Sequence, residues 1–419
     1  MKNAIIVSLD SYVSEIISLA DTLDYKVVKT FIQIRKNPDV KRYVGKGKLE
    51  EIKKYIDESP DSVDLVVVNG EQRPSQWFLL EKQWGVEVFD RIRLILEIFE
   101  KHADRKESKL QVKLAQLEYE RPFVRELIHR AKSGEHPGFM AGGEYQVDDY
   151  YEMIKKQSKK IKEELESIRN QRELRRIHRH KGGFYLVSLA GYTNAGKSSL
   201  LNLLTEGKVK VEGRLFSTLS TTTKKIKDIT LPVLLTDTVG FIRNLPTWVV
   251  DAFHSTLEEI AVADVVLLVI DISEDPDIVV EKLNVSLSEL VNIGVESSVV
   301  LVFNKCDLIP QDHLNYRIKF FKDMDILSDK KMVFISVKND FNVNNLFKVI
   351  YNSLPSLVCC KIKIPLNKKS QSFISWIYET AHVLDISYND FIVVSFESSS
   401  IVCDKIVSRC KNIDGIVLS

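Results

Sequence analysis

Over the first hundred residues, short apolar runs alternate with amphipathic stretches. The runs are Ala4–Val7, Val27–Ile34, Leu65–Val68 and Val86–Phe89; Lys48–Ile56 and Gln76–Gln83 carry apolar residues at helical spacing. Strand-length runs separated by helix-period segments predict a small α/β layer. The texture changes at Asp104. Leu110, Leu114 and Leu117, then Leu127 and Ala131, recur with a helical period, as do Ile154, Ile161, Leu165 and Ile168. No strand-like run interrupts either stretch. Between them Ser133–Gly143 holds several glycines and Pro137. Two long antiparallel helices joined by a flexible loop are predicted.

From Phe184 the strand–loop–helix alternation returns. Strands are expected at Tyr185–Ala190, Ile226–Leu231, Val233–Thr236, Val265–Ile270, Val299–Phe303 and Met332–Ser336. With helices between most of them, this predicts a doubly wound, mostly parallel sheet. Beyond Pro355, apolar runs at Cys360–Ile364, Phe391–Phe396 and Gly415–Leu418 flank helical patterns at Ser372–His382 and Ser400–Cys410. A small α/β unit is expected there.

Composition changes this picture little. Of 419 residues, 44% are hydrophobic and 28% charged, which is ordinary for a globular chain. Lys and Arg number 59 against 58 Asp and Glu, so global charge argues for no polyanionic partner. The longest late apolar stretch, Val262–Ile272, contains Asp264 and Asp271 and falls well short of the roughly 20 residues of a membrane helix. The N-terminal apolar run is too short for a signal segment and is interrupted by Asp10. A cytoplasmic protein is expected. The five cysteines form no C-x-x-C pair and have no histidine cluster beside them. They are read as reduced thiols rather than a zinc site. Local charge says more. Between Glu152 and Lys181 stand eleven Lys/Arg against five Glu, either a solvated helix face or an electrostatic footprint for RNA phosphates.

Gly191-Tyr192-Thr193-Asn194-Ala195-Gly196-Lys197-Ser198 matches G-x-x-x-x-G-K-[ST] between an apolar strand and a helical run beginning at Ser199. Its glycines let backbone N–H groups curl inward around phosphates. Lys197 then meets the β/γ-phosphates and Ser198 offers a hydroxyl to Mg²⁺. The phosphate cradle is expected to span Asn194, Ala195, Gly196, Lys197, Ser198 and Ser199. Asn304-Lys305-Cys306-Asp307 ends a later apolar strand, where open α/β sheets bind ligands. A carboxylate at Asp307 can accept two hydrogen bonds from guanine N1 and N2, a pair of donors that adenine lacks on that edge. Asn304 is expected near O6/N7 and Lys305 along the base. Asp237-Thr238-Val239-Gly240 places a carboxylate to hold Mg²⁺ through water and a Gly240 N–H to meet the γ-phosphate. Ser336, Val337 and Lys338 end the last strand, where their backbone can support the guanine O6. One of Thr221, Thr222 and Thr223 is expected to complete the metal site when the γ-phosphate is present, forming an order–disorder switch. Phe241 follows Gly240, where many such sites carry a water-orienting polar side chain. Slow intrinsic hydrolysis follows; Arg214, Lys224 and Arg243 are cationic candidates in cis.

Asp237–Asp271, DTVGFIRNLPTWVVDAFHSTLEEIAVADVVLLVID, and Phe216–Ile226, FSTLSTTTKKI, closely resemble the HflX family of translation-factor-class GTPases. So do Val44–Lys53, Val88–Ala103 and Ser108–Val124 outside the nucleotide domain. The resemblance implies a GTPase, using Mg²⁺ with GTP or GDP, that associates with the large ribosomal subunit and its RNA. Some members are regarded as splitting or rescuing stalled ribosomes. It also implies that Thr222 is the switch threonine. The expected site is thus catalytic Lys197, Thr222 and Gly240, with metal ligands Ser198, Thr222 and Asp237. The hairpin loop departs from the family's GGxGxRGPGE, reading SGEHPGFMAGGE (Ser133–Glu144).

The predicted organisation is an N-terminal α/β domain (1–103), an antiparallel helical hairpin (104–181), a P-loop GTPase domain (182–355) and a small C-terminal α/β domain (356–419). GTP would order the loops around Thr222 and Phe241 and reposition the hairpin, and the hairpin and N-terminal domain would engage ribosomal RNA. A monomer is expected, with no DNA partner and no stable membrane insertion. The alternative is a GTP-gated protein-binding module that does not act on ribosomes; a P-loop kinase or ATPase is disfavoured by Asp307.

Overall fold

The computed structural model describes residues 2–59, 62–132, 143–181, 183–206, 221–227, 231–243, 246–355 and 357–418. The hairpin loop 133–142 and Arg214 therefore lie outside the described residues.

The first sheet is built from β1 (Lys2–Ser8), α1 (Ser14–Thr22), β2 (Tyr25–Ile32), α2 (Lys46–Glu58), β3 (Leu65–Val68), α3 (Pro74–Trp84), β4 (Glu87–Asp90) and α4 (Arg91–His102). All four strands are parallel, in the order β2-β1-β3-β4. Because parallel strands covered on both faces read as unbroken apolar runs, β1 and β3 were visible from sequence. Local signals set the helix ends. Pro74 opens α3 and Gly85, with φ of 74°, closes it; both are the residues those positions favour. Asp90 caps α4 by accepting from the Arg93 N–H at 2.8 Å.

Two long helices follow, α5 (Lys106–Lys132) and α6 (Gly143–Lys181). They run antiparallel: Lys162 pairs with Glu118 at 2.9 Å, and the Tyr150 hydroxyl meets Glu120 at 3.1 Å. Their seam is narrow, with Leu117, Val124 and Ile154 buried between them. Pro122 sits inside α5, where a ring without an N–H costs one helical hydrogen bond.

The second sheet uses β5 (Tyr185–Gly191), α7 (Lys197–Leu204), β6 (Thr222–Lys225), β7 (Val233–Asp237), α8 (Thr247–Ala252), α9 (His254–Ala261), β8 (Val265–Asp271), α10 (Pro276–Ile293), β9 (Ser298–Asn304), α11 (Gln311–Lys322), β10 (Lys331–Phe334) and α12 (Val343–Tyr351). The order is β10-β9-β8-β5-β7-β6, parallel throughout except β6 against β7. One expectation needs correcting. The edge strand is Thr222–Lys225; of the expected strand Ile226–Leu231, residues 228–230 lie outside the described residues. β-Branched threonines suit a half-exposed edge, and the Thr223 and Thr236 hydroxyls meet at 3.0 Å across the pair. Ile226 leaves the strand, bridges Thr205 and is buried.

The third sheet contains β11 (Val358–Pro365), α13 (Lys368–Thr380), β12 (His382–Tyr388), β13 (Phe391–Ser398), α14 (Ser400–Lys411) and β14 (Ile416–Val417). Its order, β12-β13-β11-β14, with antiparallel neighbours, is the split βαβ arrangement. β12 was not predicted, because Asp385 and a bulge at Val383/Asp385 break its apolar pattern. The cysteine expectation also changes: Cys360 on β11 and Cys403 on α14 form a disulfide. Their separation of 43 residues is closed only by the fold.

By their contacts the described residues form two units. One holds 2–168 with 246–253, and the other holds the rest. Within the first, Trp248 stacks on Tyr119 and Phe253 packs edge-on against Phe99. Among the described residues no helix is long and apolar enough to cross a membrane.

Candidate nucleotide site

β5 is buried along its whole length and delivers Gly191 to the C-terminal edge of the second sheet. Two glycines there are dictated by space as well as conformation. Gly191 has φ of 134°, and a Cβ on it would sit 2.2 Å from the Val269 carbonyl oxygen. Gly196 has φ of 98°, and its Cβ would meet the Asn304 amide at 2.3 Å. Both φ values lie where a side chain is strained. Asn194, at φ 62°, completes the turn. α7 then starts directly at Lys197, so its first amides face the loop, an arrangement suited to phosphate.

Lys197 is buried, and its Nζ donates to the Gly191 and Tyr192 carbonyls at 3.0 and 2.8 Å. Burial lowers its pKa to about 8, against a raising influence from Asp237. The Ser198 hydroxyl donates to Asp237 Oδ2 at 2.8 Å, with both side chains buried. Thr222 stands opposite Asp237 in the β6–β7 register. A hydroxyl, a carboxylate and a facing threonine form a hard-oxygen donor set. That chemistry fits Mg²⁺.

Gly240 also needs to be glycine: a Cβ would lie 2.8 Å from Lys197 Nζ and 2.9 Å from Thr193 N. Phe241 clamps the loop through its backbone, donating to the Gly191 carbonyl at 2.9 Å and accepting from Thr193 N at 3.0 Å. Its side chain is buried and apolar, so it cannot orient a water. Of the cationic candidates, Arg243 is held by Glu281 at 2.6 Å.

The Asn304–Asp307 motif is knitted to its neighbours. Asn304 donates from Nδ2 to the Ala195 carbonyl at 2.9 Å and accepts at Oδ1 from Val337 N at 3.2 Å. Asn304 thus braces the P-loop against the loop after β10, with one further N–H and one further lone pair on its amide beyond these two bonds. Asp307 Oδ1 accepts from the Ser336 hydroxyl at 2.6 Å, which orients the carboxylate. Lys305, at φ 67°, pairs through Nζ with Asp271 at 2.6 Å, which fixes its stem. Asp271 was missed in the sequence reading, although an acid at the end of an apolar strand is a usable signal. Ser199 lies half-buried in the first turn of α7, and Lys338 is exposed beyond Ser336. Residues 191–198, 237–241, 304–307 and 336–337 therefore converge on one edge, with the glycine-lined candidate phosphate loop at one end and a braced carboxylate at the other.

Residues 10–100 match the family model described as GTP-binding GTPase N-terminal, and residues 102–179 the GTP-binding GTPase middle region. Residues 186–305 match the 50S ribosome-binding GTPase family. The GTPase HflX of Methanocaldococcus jannaschii is 38% identical over 401 residues, covering 96% of both chains. The chain belongs to the HflX family of GTPases. It is therefore a hydrolase acting on GTP. The HflX GTPase of Thermococcus kodakarensis is 39% identical over 83% of this chain and 79% of its own. Among solved structures, a GTP-binding protein from Sulfolobus solfataricus in complex with GDP is 28% identical, covering 84% of this chain and 98% of that one, with a TM-score of 0.47. This HflX-family chain carries its family match on both sides of the P-loop, so the hairpin and the first sheet are part of the family pattern.

Proposed function

We propose that this HflX-family GTPase is a cytoplasmic guanine-nucleotide switch that binds the large ribosomal subunit, with release or splitting of stalled ribosomes as its output. The match of residues 186–305 to a family described as 50S ribosome-binding GTPases carries the ribosomal half of this reading. Asp307 accepts from guanine N1 and N2, and the backbone of Ser336–Lys338 supports O6. The amides of Asn194–Ser199 surround the phosphates, and Lys197 exchanges its carbonyl partners for the β/γ oxygens. Mg²⁺ held by Ser198, Thr222 and Asp237 would neutralise charge on those oxygens. Gly240 offers its N–H to the γ-phosphate, coupling the nucleotide state to the chain that continues through Phe241.

Sedimentation with purified large ribosomal subunits tests this. Wild-type protein with a non-hydrolysable GTP analogue should pellet more strongly than with GDP. Equal pelleting in both states would remove the switch, and no pelleting in either would remove the ribosome. A partner that survives RNase treatment would favour a protein-binding module instead.

A further inference from the structure

Asp271 ends β8 and stands opposite Asn304 in the parallel β8–β9 register. The nucleotide chemistry above gives it no role, yet its carboxylate is held at both oxygens. Oδ1 accepts from the Ser273 backbone N–H at 3.0 Å and from the Ser273 hydroxyl at 2.5 Å. Oδ2 meets Lys305 Nζ at 2.6 Å. The two side chains are 14% and 24% exposed, so this pair is shielded from the water and salt that weaken ion pairs on an open surface.

Lys305 is the member that needs holding. A lysine side chain carries about 2 kcal/mol of rotamer entropy on its four-carbon stem, and it can lie along a base only if that stem is fixed. The backbone adds a constraint. Lys305 has φ of 67°, a region few residues with a side chain adopt and one that persists where the surroundings over-determine it. The turn at Lys305 sends Asn304 to the Ala195 carbonyl at 2.9 Å and Asp307 to the Ser336 hydroxyl at 2.6 Å. Lys305 thus stands between two braced side chains, and its own ammonium is braced by Asp271.

The segment 271–275, which joins β8 to α10, is tied down independently of that pair. Arg317 of α11 donates through Nη1 to the Ile272 and Glu274 carbonyls. The Ile272 N–H donates to the Asn304 carbonyl at 3.1 Å. Both Glu274 carboxylate oxygens accept from Lys282 at 2.6 Å. Lys282 Nζ lies 5.4 Å from the centroid of the Tyr192 ring, within reach of a cation–π attraction. Tyr192 belongs to the P-loop, and its carbonyl accepts from Lys197. One short segment therefore touches the Asn304–Asp307 motif through Asp271 and the P-loop through Lys282.

We infer that Asp271 is a positioning residue for the guanine nucleotide. It holds the Lys305 stem in place for the base, on a segment that Arg317 and Lys282 fix against α11 and the P-loop. Its carboxylate acts through Lys305 and does not touch the nucleotide. Ordering a rotamer-rich side chain in advance removes an entropy cost from binding. A stem lying along a ring face reads no hydrogen-bonding edge. Asp271 therefore sets the affinity and residence time of the nucleotide, and the choice of purine stays with Asp307. The inference rests on the placement of guanine at Asp307 proposed above.

The test measures mant-GDP affinity and dissociation rate on the full chain, for wild type, Asp271→Asn, Lys305→Met and the double variant. Asp271→Asn should weaken GDP roughly tenfold, mostly through faster dissociation. Lys305→Met, which keeps the stem without its charge, should weaken it too. The double variant should bind within about twofold of Lys305→Met alone, the coupling expected of residues that act through one contact. The ratio of GDP to xanthosine diphosphate affinity should be the same in Asp271→Asn as in wild type, whereas a distorted Asn304–Asp307 turn would shift it. Ser273→Ala, which removes one bond to Oδ1, should weaken GDP in the same direction by less. It carries the same comparison in both Lys305 backgrounds if the melting temperature shows that Asp271→Asn does not fold. Asp271→Asn with wild-type affinity, an equal loss in the Lys305→Met background, or a shifted purine ratio overturns the positioning role and leaves the site reading standing. Unchanged GDP affinity in Lys305→Met removes the base from this motif, and the inference goes with that reading.

Discussion

At the residue scale, chemistry in this chain is governed by what each side chain is braced against. Asp307 is oriented by Ser336, and Asn304 spans the P-loop and Val337. Asp307→Asn should leave the fold intact and cost guanine about 1.5–3 kcal/mol, roughly ten- to a hundredfold, because a charged acceptor is lost. Xanthine nucleotides should gain correspondingly, as read by competition against mant-GTP; an unchanged guanine-over-xanthine ratio would remove the assignment. Asp90 supplies a pH signature in the first unit. It is 1% exposed and accepts from Gln72 N at 3.1 Å and Arg93 N at 2.8 Å. Burial nevertheless pushes its pKa up to about 6. A native pKa above the unfolded one contributes stability that is present at low pH and lost as pH rises through about 4 to 6. Asp90→Asn, which keeps a helix-capping oxygen, should therefore gain on wild type by on the order of 3 kcal/mol between pH 4 and 7. Denaturant melts at the two pH values check this; a stability difference constant with pH would contradict it.

At the element scale, the legible parts were those whose periodicity matched their surroundings. β1, β3, β5, β8 and β9 are covered on both faces and read as apolar runs. β6 and β12 are edge strands, where one side meets no neighbour and polar residues are tolerated, so neither showed a strand-like apolar run in the sequence. The helix α6 was legible as basic, yet its sequence did not say which cations are paired. Lys159 is the informative case: its carboxylate neighbour Glu163 is 4.0 Å away and both side chains are exposed, so that pairing is worth little. Lys159→Glu with Lys160→Glu should weaken binding to ribosomal subunits in a salt-dependent way at unchanged GTP affinity. Loss of GTP binding instead would mark the helix as structural.

At the scale of the whole molecule, the family match spans the first sheet, the hairpin and the nucleotide domain, so hydrolysis is expected to answer to what those parts bind. With buried Phe241 in place of a polar residue, the isolated chain should turn over GTP slowly. Large subunits should accelerate it by roughly a hundredfold, the usual effect of one well-placed acid–base or positioning group. Single-turnover rates with and without subunits decide; fast turnover by the protein alone would contradict the expectation. What the sequence determined by itself was local: the strands buried on both faces, the glycine-punctuated loop between β5 and α7, and the order of the motifs along the chain. These depend on periodicity and on residue types that only a few backbone conformations tolerate. Tertiary structure alone decided the rest. It closed Cys360 onto Cys403, turned Asn304 into a brace for Ala195 and set Asp271 beside Lys305. Pairing between residues distant in the chain is settled by which surfaces packing brings together, and no local pattern carries that information.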